Sequence, residues 1–278
     1  MHRASLSTIV CSLAVMLLAP ASVLAQSAPQ AAPTTAPGDA PICTDRPTKA
    51  NATCTVPAGH WQIETDLANW SHMSDGGVST DAVLAPNPTL KYGLIDTLDV
   101  ELNIAPYEEL RIKAGGVTQD ASGVGDLYAR LKWAVVSNAT WSLSLIPYVK
   151  APTASHMIGN GEVEGGLAVP VNFSLPDKVS LTFGPELDSL ENAALDGHHL
   201  NMVQLVNLSR PVTGKLGLAV EYWADQNWDP LETVAQRSAD VAATYALSNT
   251  LQLDAGVNFG LNRATPRSQL YVGVSKRW

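Results

Sequence analysis

Charged residues recur in this chain at alternate positions within otherwise apolar stretches, which places them on one face of an extended strand. Asp126, Arg130 and Lys132 share one such face. The same phase of other stretches supplies Glu64, Asp66, Lys91, Asp99, Glu101, Lys150, Glu162, Glu164, Lys215, Glu221 and Asp254. Enclosed by a barrel wall, these side chains would form either a charged constriction that selects solutes or a mutually paired polar filling. Lys132 and Lys150 fall on neighbouring stretches, so a small basic patch among carboxylates is the expected polar gate, with Asp126, Arg130, Glu162, Glu164, Lys91 and Glu101 around it. Nucleophilic chemistry is a poor fit. His198, His199, Asn201 and Ser209 could be drawn as a hydrolytic set, but Ser209 lies about ten residues along one strand from the histidines, at roughly 3.3 Å per residue. Gly115-Gly116 and Gly165-Gly166 precede no helix and make no phosphate cradle. No enzyme and no cofactor are expected.

Positioning that charged face requires strands, and period-two alternation gives twelve of them between Gly59 and Trp278. The stretch from Leu251 to Leu261 is the cleanest: Leu251, Leu253, Ala255, Val257, Phe259 and Leu261 alternate with Gln252, Asp254, Gly256, Asn258 and Gly260. The stretch near Leu200 to Leu208 is the most ambiguous, because Val203 and Leu205 confuse its phase. Short turns are expected at 95–97, 136–140, 175–178, 209–214 and 247–249. Longer polar loops are expected at 71–82, 106–122, 151–161, 188–198, 225–237 and 262–267. Short turns on one side, long loops on the other and an even strand number describe an antiparallel transmembrane β-barrel with both termini in the periplasm. A water-soluble β-sandwich also alternates, yet here the polar phase is the one carrying charge and glycine, as a lumen would. Trp61, Tyr92, Trp133, Trp141, Tyr245 and Trp278 occupy the apolar phase at the short-turn ends, where they would form an interfacial girdle.

The chain has 278 residues, a formal net charge of −9 and a mean hydropathy of +0.04. Residues 1–25 carry a basic start, an apolar run and a small-residue cleavage site, and read as a signal peptide; a single membrane anchor fits less well because the run is short and broken by Pro20. Residues 26–42 are a Pro/Ala-rich linker. Residues 43–58 are expected as a short periplasmic segment ahead of the barrel at 59–278. Cys43 and Cys54 in an exported chain point to a disulfide; a metal site would need further ligands. The acidic balance argues against nucleic acid. Acidic residues in the outer loops, among them Asp75, Glu108, Glu109 and Asp229, could meet lipopolysaccharide through divalent cations.

The segments "DRPTKANATCTVPAGHWQIETD" (45–66), "LKYGLIDTLDVEL" (90–102), "GVGDLYARLKW" (123–133), "PYVKAPT" (147–153) and "GPELD" (184–188) together resemble the outer-membrane transporter family named for the meta pathway of phenol degradation. The resemblance implies a barrel in the outer membrane of a Gram-negative bacterium, serving as a passive transporter or channel for small organic solutes, aromatic or hydrophobic ones among them. A closed barrel with a structural or envelope-interaction role is the alternative. "VGVSKRW" resembles the C-terminal signal read by the barrel-assembly machinery, with Lys276 standing where an apolar residue is usual. The expected partners are therefore outer-membrane lipid and lipopolysaccharide, that machinery and a small-molecule solute.

Overall fold

The computed structural model describes residues 40–278; the expected signal peptide at 1–25 and most of the expected linker at 26–42 lie outside the described residues. Alternation becomes strand throughout. The strands are β1 (Trp61–Asp75), β2 (Val78–Leu84), β3 (Asn87–Ile95), β4 (Leu98–Asn103), β5 (Glu108–Ala114), β6 (Val117–Gly123), β7 (Leu127–Ser137), β8 (Trp141–Ala151), β9 (Glu164–Ala168), β10 (Val171–Ser174), β11 (Ser180–Phe183), β12 (Glu186–Glu191), β13 (His198–Pro211), β14 (Leu216–Trp228), β15 (Thr233–Ser248), β16 (Leu251–Gly260) and β17 (Ser268–Arg277).

These make twelve staves. β2 with β3, β4 with β5, β6 with β7, β9 with β10 and β11 with β12 are each one stave with an interruption, as the shared neighbours show: β1 pairs with both β2 and β3, and β13 with both β11 and β12. Four of the five interruptions contain proline (Pro86, Pro106, Pro170 and Pro185), which cannot donate to the ladder. Neighbouring carbonyls are still used at the breaks: Gly125 donates to Ala105 at 2.8 Å and Val169 to Pro185 at 2.8 Å. All pairings are antiparallel, and β1 pairs with β17 from Gln62 opposite Arg277 to His72 opposite Ser268. The sheet thus closes on itself and leaves no open edge through the wall, the condition for crossing lipid with strands.

The two faces differ as alternation requires. On β7, Leu131 and Trp133 are 42% and 50% exposed on the outside, whereas Lys132 between them is 2% exposed. The ambiguous eighth stave, β13, resolves in the same way. Leu205 is buried on the inner face because it fills the space Gly184 leaves: a Cβ there would lie 2.8 Å from Leu205 Cγ. The six girdle aromatics lie on the outer face beside short turns or the termini, and the Trp61 and Tyr92 rings sit 4.6 Å apart.

Two of the expected long loops are strands instead. Residues 71–82 and 106–122 fold into hairpins turning at Gly76-Gly77 and Gly115-Gly116, whose φ values of 55° and 83°, and 55° and 81°, suit the two-residue turn that matches strand twist. Asp75, Glu108 and Glu109 accordingly lie on strands. β2 pairs with β5, which joins the two hairpins into one raised sheet.

Candidate functional site: the occupied lumen

Residues 40–58 do not stand apart from the barrel as a separate periplasmic segment. They enter the lumen from the short-turn end, where Ile42 donates to Asn249 and Arg277 to the Ala40 carbonyl. The Cys43–Cys54 disulfide, with Cα atoms 6.2 Å apart, closes the segment into a loop. Inside that loop Ala52 N–H donates to Asp45 Oδ1 at 2.7 Å. The chain leaves the lumen through the close approach of Pro57 to Gly93, where a Cβ would sit 2.1 Å from the Pro57 carbonyl oxygen.

Every charge on this loop meets an opposite charge on the wall. Arg46 forks onto Asp254 on β16, at 2.7 Å from Nη2 and 3.2 Å from Nε, and reaches Asp66 on β1 at 2.7 Å through Nη1. Gly273 makes room for that guanidinium, since a Cβ there would lie 2.1 Å from Nη2. Lys49 pairs with Asp240 on β15 at 2.5 Å, donates to Ser238 at 3.1 Å and lies 5.2 Å from the Trp223 ring centroid. The backbone N–H groups of Lys49 and Ala50 both donate to the Glu221 carboxylate on β14. Asp45 receives Lys132 on β7 at 2.5 Å and also Lys91 on β3. Burial pushes the Asp45 carboxyl up, but Lys132 and Lys91 outweigh it and hold the group well below the usual carboxylate range. Val56 donates to Asp99 at 2.7 Å, and Thr53 bonds to Ser142 and Ser144 on β8.

Lys91, Lys132 and Glu101 from the expected gate set do assemble, at 3.2 Å and 3.4 Å from the two lysines to Glu101. Glu64 completes the cluster at 2.7 Å from Lys91. Lys150 does not join them. It sits opposite Tyr128, four positions along β7 from Lys132, or roughly 13 Å. Its partners are Asp126 at 3.3 Å, Glu164 at 2.9 Å and Asn160 at 2.5 Å. The expected basic patch is therefore two separate clusters, because strand rise carries the two lysines to different heights. Glu162 is not a lumen residue: it is exposed in the connection before β9, where its N–H donates to Asn160. Arg130 faces the lumen beside the rings of Tyr128 and Tyr148. His199 and Ser209 lie near opposite ends of β13, too far apart for a proton relay.

Two spaces flank the loop. Between it and β10, β11, β13 and β14 lies a cleft of ≈480 Å³ lined by Asn51, Thr53, Asn172, Thr182, Asn207 and Ser209 among others. A second of ≈170 Å³ is bounded by Asp45, Lys49, Glu64, Lys91, Glu101 and Arg130. The smaller is polar-lined, the larger mixes polar groups with Pro47, Ala50, Leu216 and Leu218, and Asp45, Arg46, Thr48 and Asn51 border both.

A family model described as "Putative MetA-pathway of phenol degradation" matches residues 44–278. Among solved structures, the chain is similar to an outer membrane channel from Pseudomonas putida F1, with a TM-score of 0.65 at 16% identity, covering 81% of this chain and 98% of that one. It is also similar to the translocator domain of the autotransporter NalP from Neisseria meningitidis, with a TM-score of 0.51 at 13% identity, covering 79% and 88%. These similarities support the barrel fold. No curated protein matches the sequence.

Proposed function

From its membership of the putative MetA-pathway of phenol degradation family, to which this outer-membrane barrel of a Gram-negative bacterium belongs, we propose that the chain is a passive channel for small organic solutes, restricted by its own N-terminal loop. The observation that carries this reading is the filling of the lumen. The interior is occupied by a hydrogen-bonded loop with clefts of ≈480 Å³ and ≈170 Å³ beside it, not by an interdigitated apolar core. Such a loop is held by charge pairs and hydrogen bonds that water can replace one by one, so a partly released arrangement is reached without disturbing the wall. The smaller cleft suits hydrophilic solutes, the larger offers polar groups beside an apolar surface at Pro47, Leu216 and Leu218, and aromatic rings find a further surface at Tyr128 and Tyr148. The breadth of the attachment, from β1 through β8 and from β13 to β16, favours a second reading, a permanently closed structural barrel.

Flux into liposomes by the refolded full chain separates the two. A small sugar, a small carboxylate and phenol are compared with empty vesicles, for the wild type and for E221Q/D240N, which weakens the wall's hold on Lys49 and Ala50. The channel reading expects measurable flux of the polar solutes and a severalfold rise in the variant. No flux from either protein, each shown to be folded, would refute it and leave the closed barrel.

A further inference from the structure

Lys91, Lys132 and Lys150 each have a carboxylate oxygen within 3.3 Å. Arg130, on the same wall, has none within 4.0 Å among the described residues. Its register partner Glu101 is already shared between Lys91 and Lys132. The Nε of Arg130 is buried without a hydrogen-bond partner, and the side chain borders the ≈170 Å³ cavity. A guanidinium offers a planar fork matched to a carboxylate, and removing such a donor from water without a partner is costly.

The surroundings of Arg130 are aromatic. Its guanidinium carbon lies 5.9 Å from the Tyr148 ring centroid, and the Tyr128 and Tyr148 rings are 6.2 Å apart. Tyr148 is fixed by donating its hydroxyl to Asp188 at 2.8 Å, so the ring stands as a preformed surface beside the free fork. An anionic head with a flat apolar body satisfies both features, whereas a sugar uses only hydrogen bonds and a simple halide meets the guanidinium without the planar match and leaves the rings unused.

We infer that Arg130 with Tyr128 and Tyr148 is a binding subsite for small carboxylates that carry a planar ring, of the chemical kind of benzoate. The inference deepens the channel reading and rests on it for its biological sense, but equilibrium binding is measurable whether or not the solute crosses. The carboxylates that line the same cavity, Asp45, Glu64 and Glu101, are engaged by Lys91 and Lys132, and Glu186 on β12 brings no oxygen within 4.0 Å of Arg130.

The test is benzoate binding to the full refolded chain, followed by calorimetry or ligand-observed NMR, with heat-modifiable gel mobility as the check of folding. Wild type is expected to bind benzoate at least tenfold more tightly than benzamide, which lacks the charge, or acetate, which lacks the ring. R130Q should lose tenfold or more, R130K should fall between, and Y148L should weaken benzoate while leaving acetate unchanged. Unchanged benzoate binding in folded R130Q overturns the subsite. Should R130Q not fold, equal affinity of wild type for benzoate and benzamide overturns it. Benzoate that binds as expected while neither it nor the sugar, carboxylate and phenol shows flux refutes the channel reading and leaves the subsite standing.

Discussion

Replacing Arg46 with alanine tests the plugged lumen most directly. Arg46 is the loop's bidentate anchor, joined to Asp254 and Asp66, whose side chains are 0% and 6% exposed. Deleting one partner of a buried ion pair costs about 3–5 kcal/mol, because the orphaned charge stays buried. In this barrel water can reach the carboxylates once the guanidinium is gone, so we discount that cost to about 2–3 kcal/mol against the docked state. That corresponds to roughly a 30- to 150-fold shift toward the released loop. Single-channel recording in planar bilayers reads it as open time and conductance. R46A should show frequent, larger openings, and R46K should lie between, because a lysine keeps the charge without the fork. Unaltered conductance and open time in folded R46A would refute the argument that ion pairs hold this loop in place.

Three further outcomes follow from the same geometry. C43S/C54S removes a cross-link closing an 11-residue separation, worth about 2–3 kcal/mol of chain entropy, and should raise the opening frequency as R46A does; identical recordings would show that the wall alone holds the loop. Asp45 is bound as a carboxylate whose docked pKa is depressed below 3.8, so its contribution is complete above that value and fades as pH falls through the docked pKa. The difference in conductance between wild type and D45N should therefore stay constant from neutral pH down to about 4 and shrink only in stronger acid; a difference that shrinks near pH 6 would refute the depressed pKa. Trp278→Ala leaves the lumen untouched but removes the aromatic end of β17, whose backbone bonds with Trp61 at 3.1 Å and 3.0 Å. It should reduce the yield of folded barrel in the outer membrane by several-fold while the surviving protein conducts as wild type.

The barrel was legible in the sequence because its signal is local. Alternation along β16 or β7 depends only on which side of the wall each residue faces, and turn length distinguishes the two rims. The hairpins at 71–82 and 106–122 were harder, since polar residues on both faces erase the alternation; the Gly-Gly pairs at 76–77 and 115–116 were the available clue. The loop at 43–58 has no periodicity, so it announces no element, and its partners are set only by closure of the barrel. One indirect trace existed. Carboxylates outnumber cations on the lumen face, and Arg46 and Lys49 lie just upstream to balance them. Glu162 was misplaced because the strand it was assigned to begins two residues later, at Glu164. The separation of Lys132 from Lys150 needed a register that composition does not supply.

The loop's attachments also order the events of assembly. Arg46 bonds to a residue 208 positions later and Lys49 to one 191 positions later. Half of the loop's seat is built from β13 to β16, which are synthesised after nearly everything else. The residues that emerge early therefore have nowhere to dock until β1 has met β17, and contacts so distant in sequence form late. The loop at 40–58 is the last of the described residues to come to rest, so a nascent barrel passes through a stage in which it is closed around its circumference and still hollow.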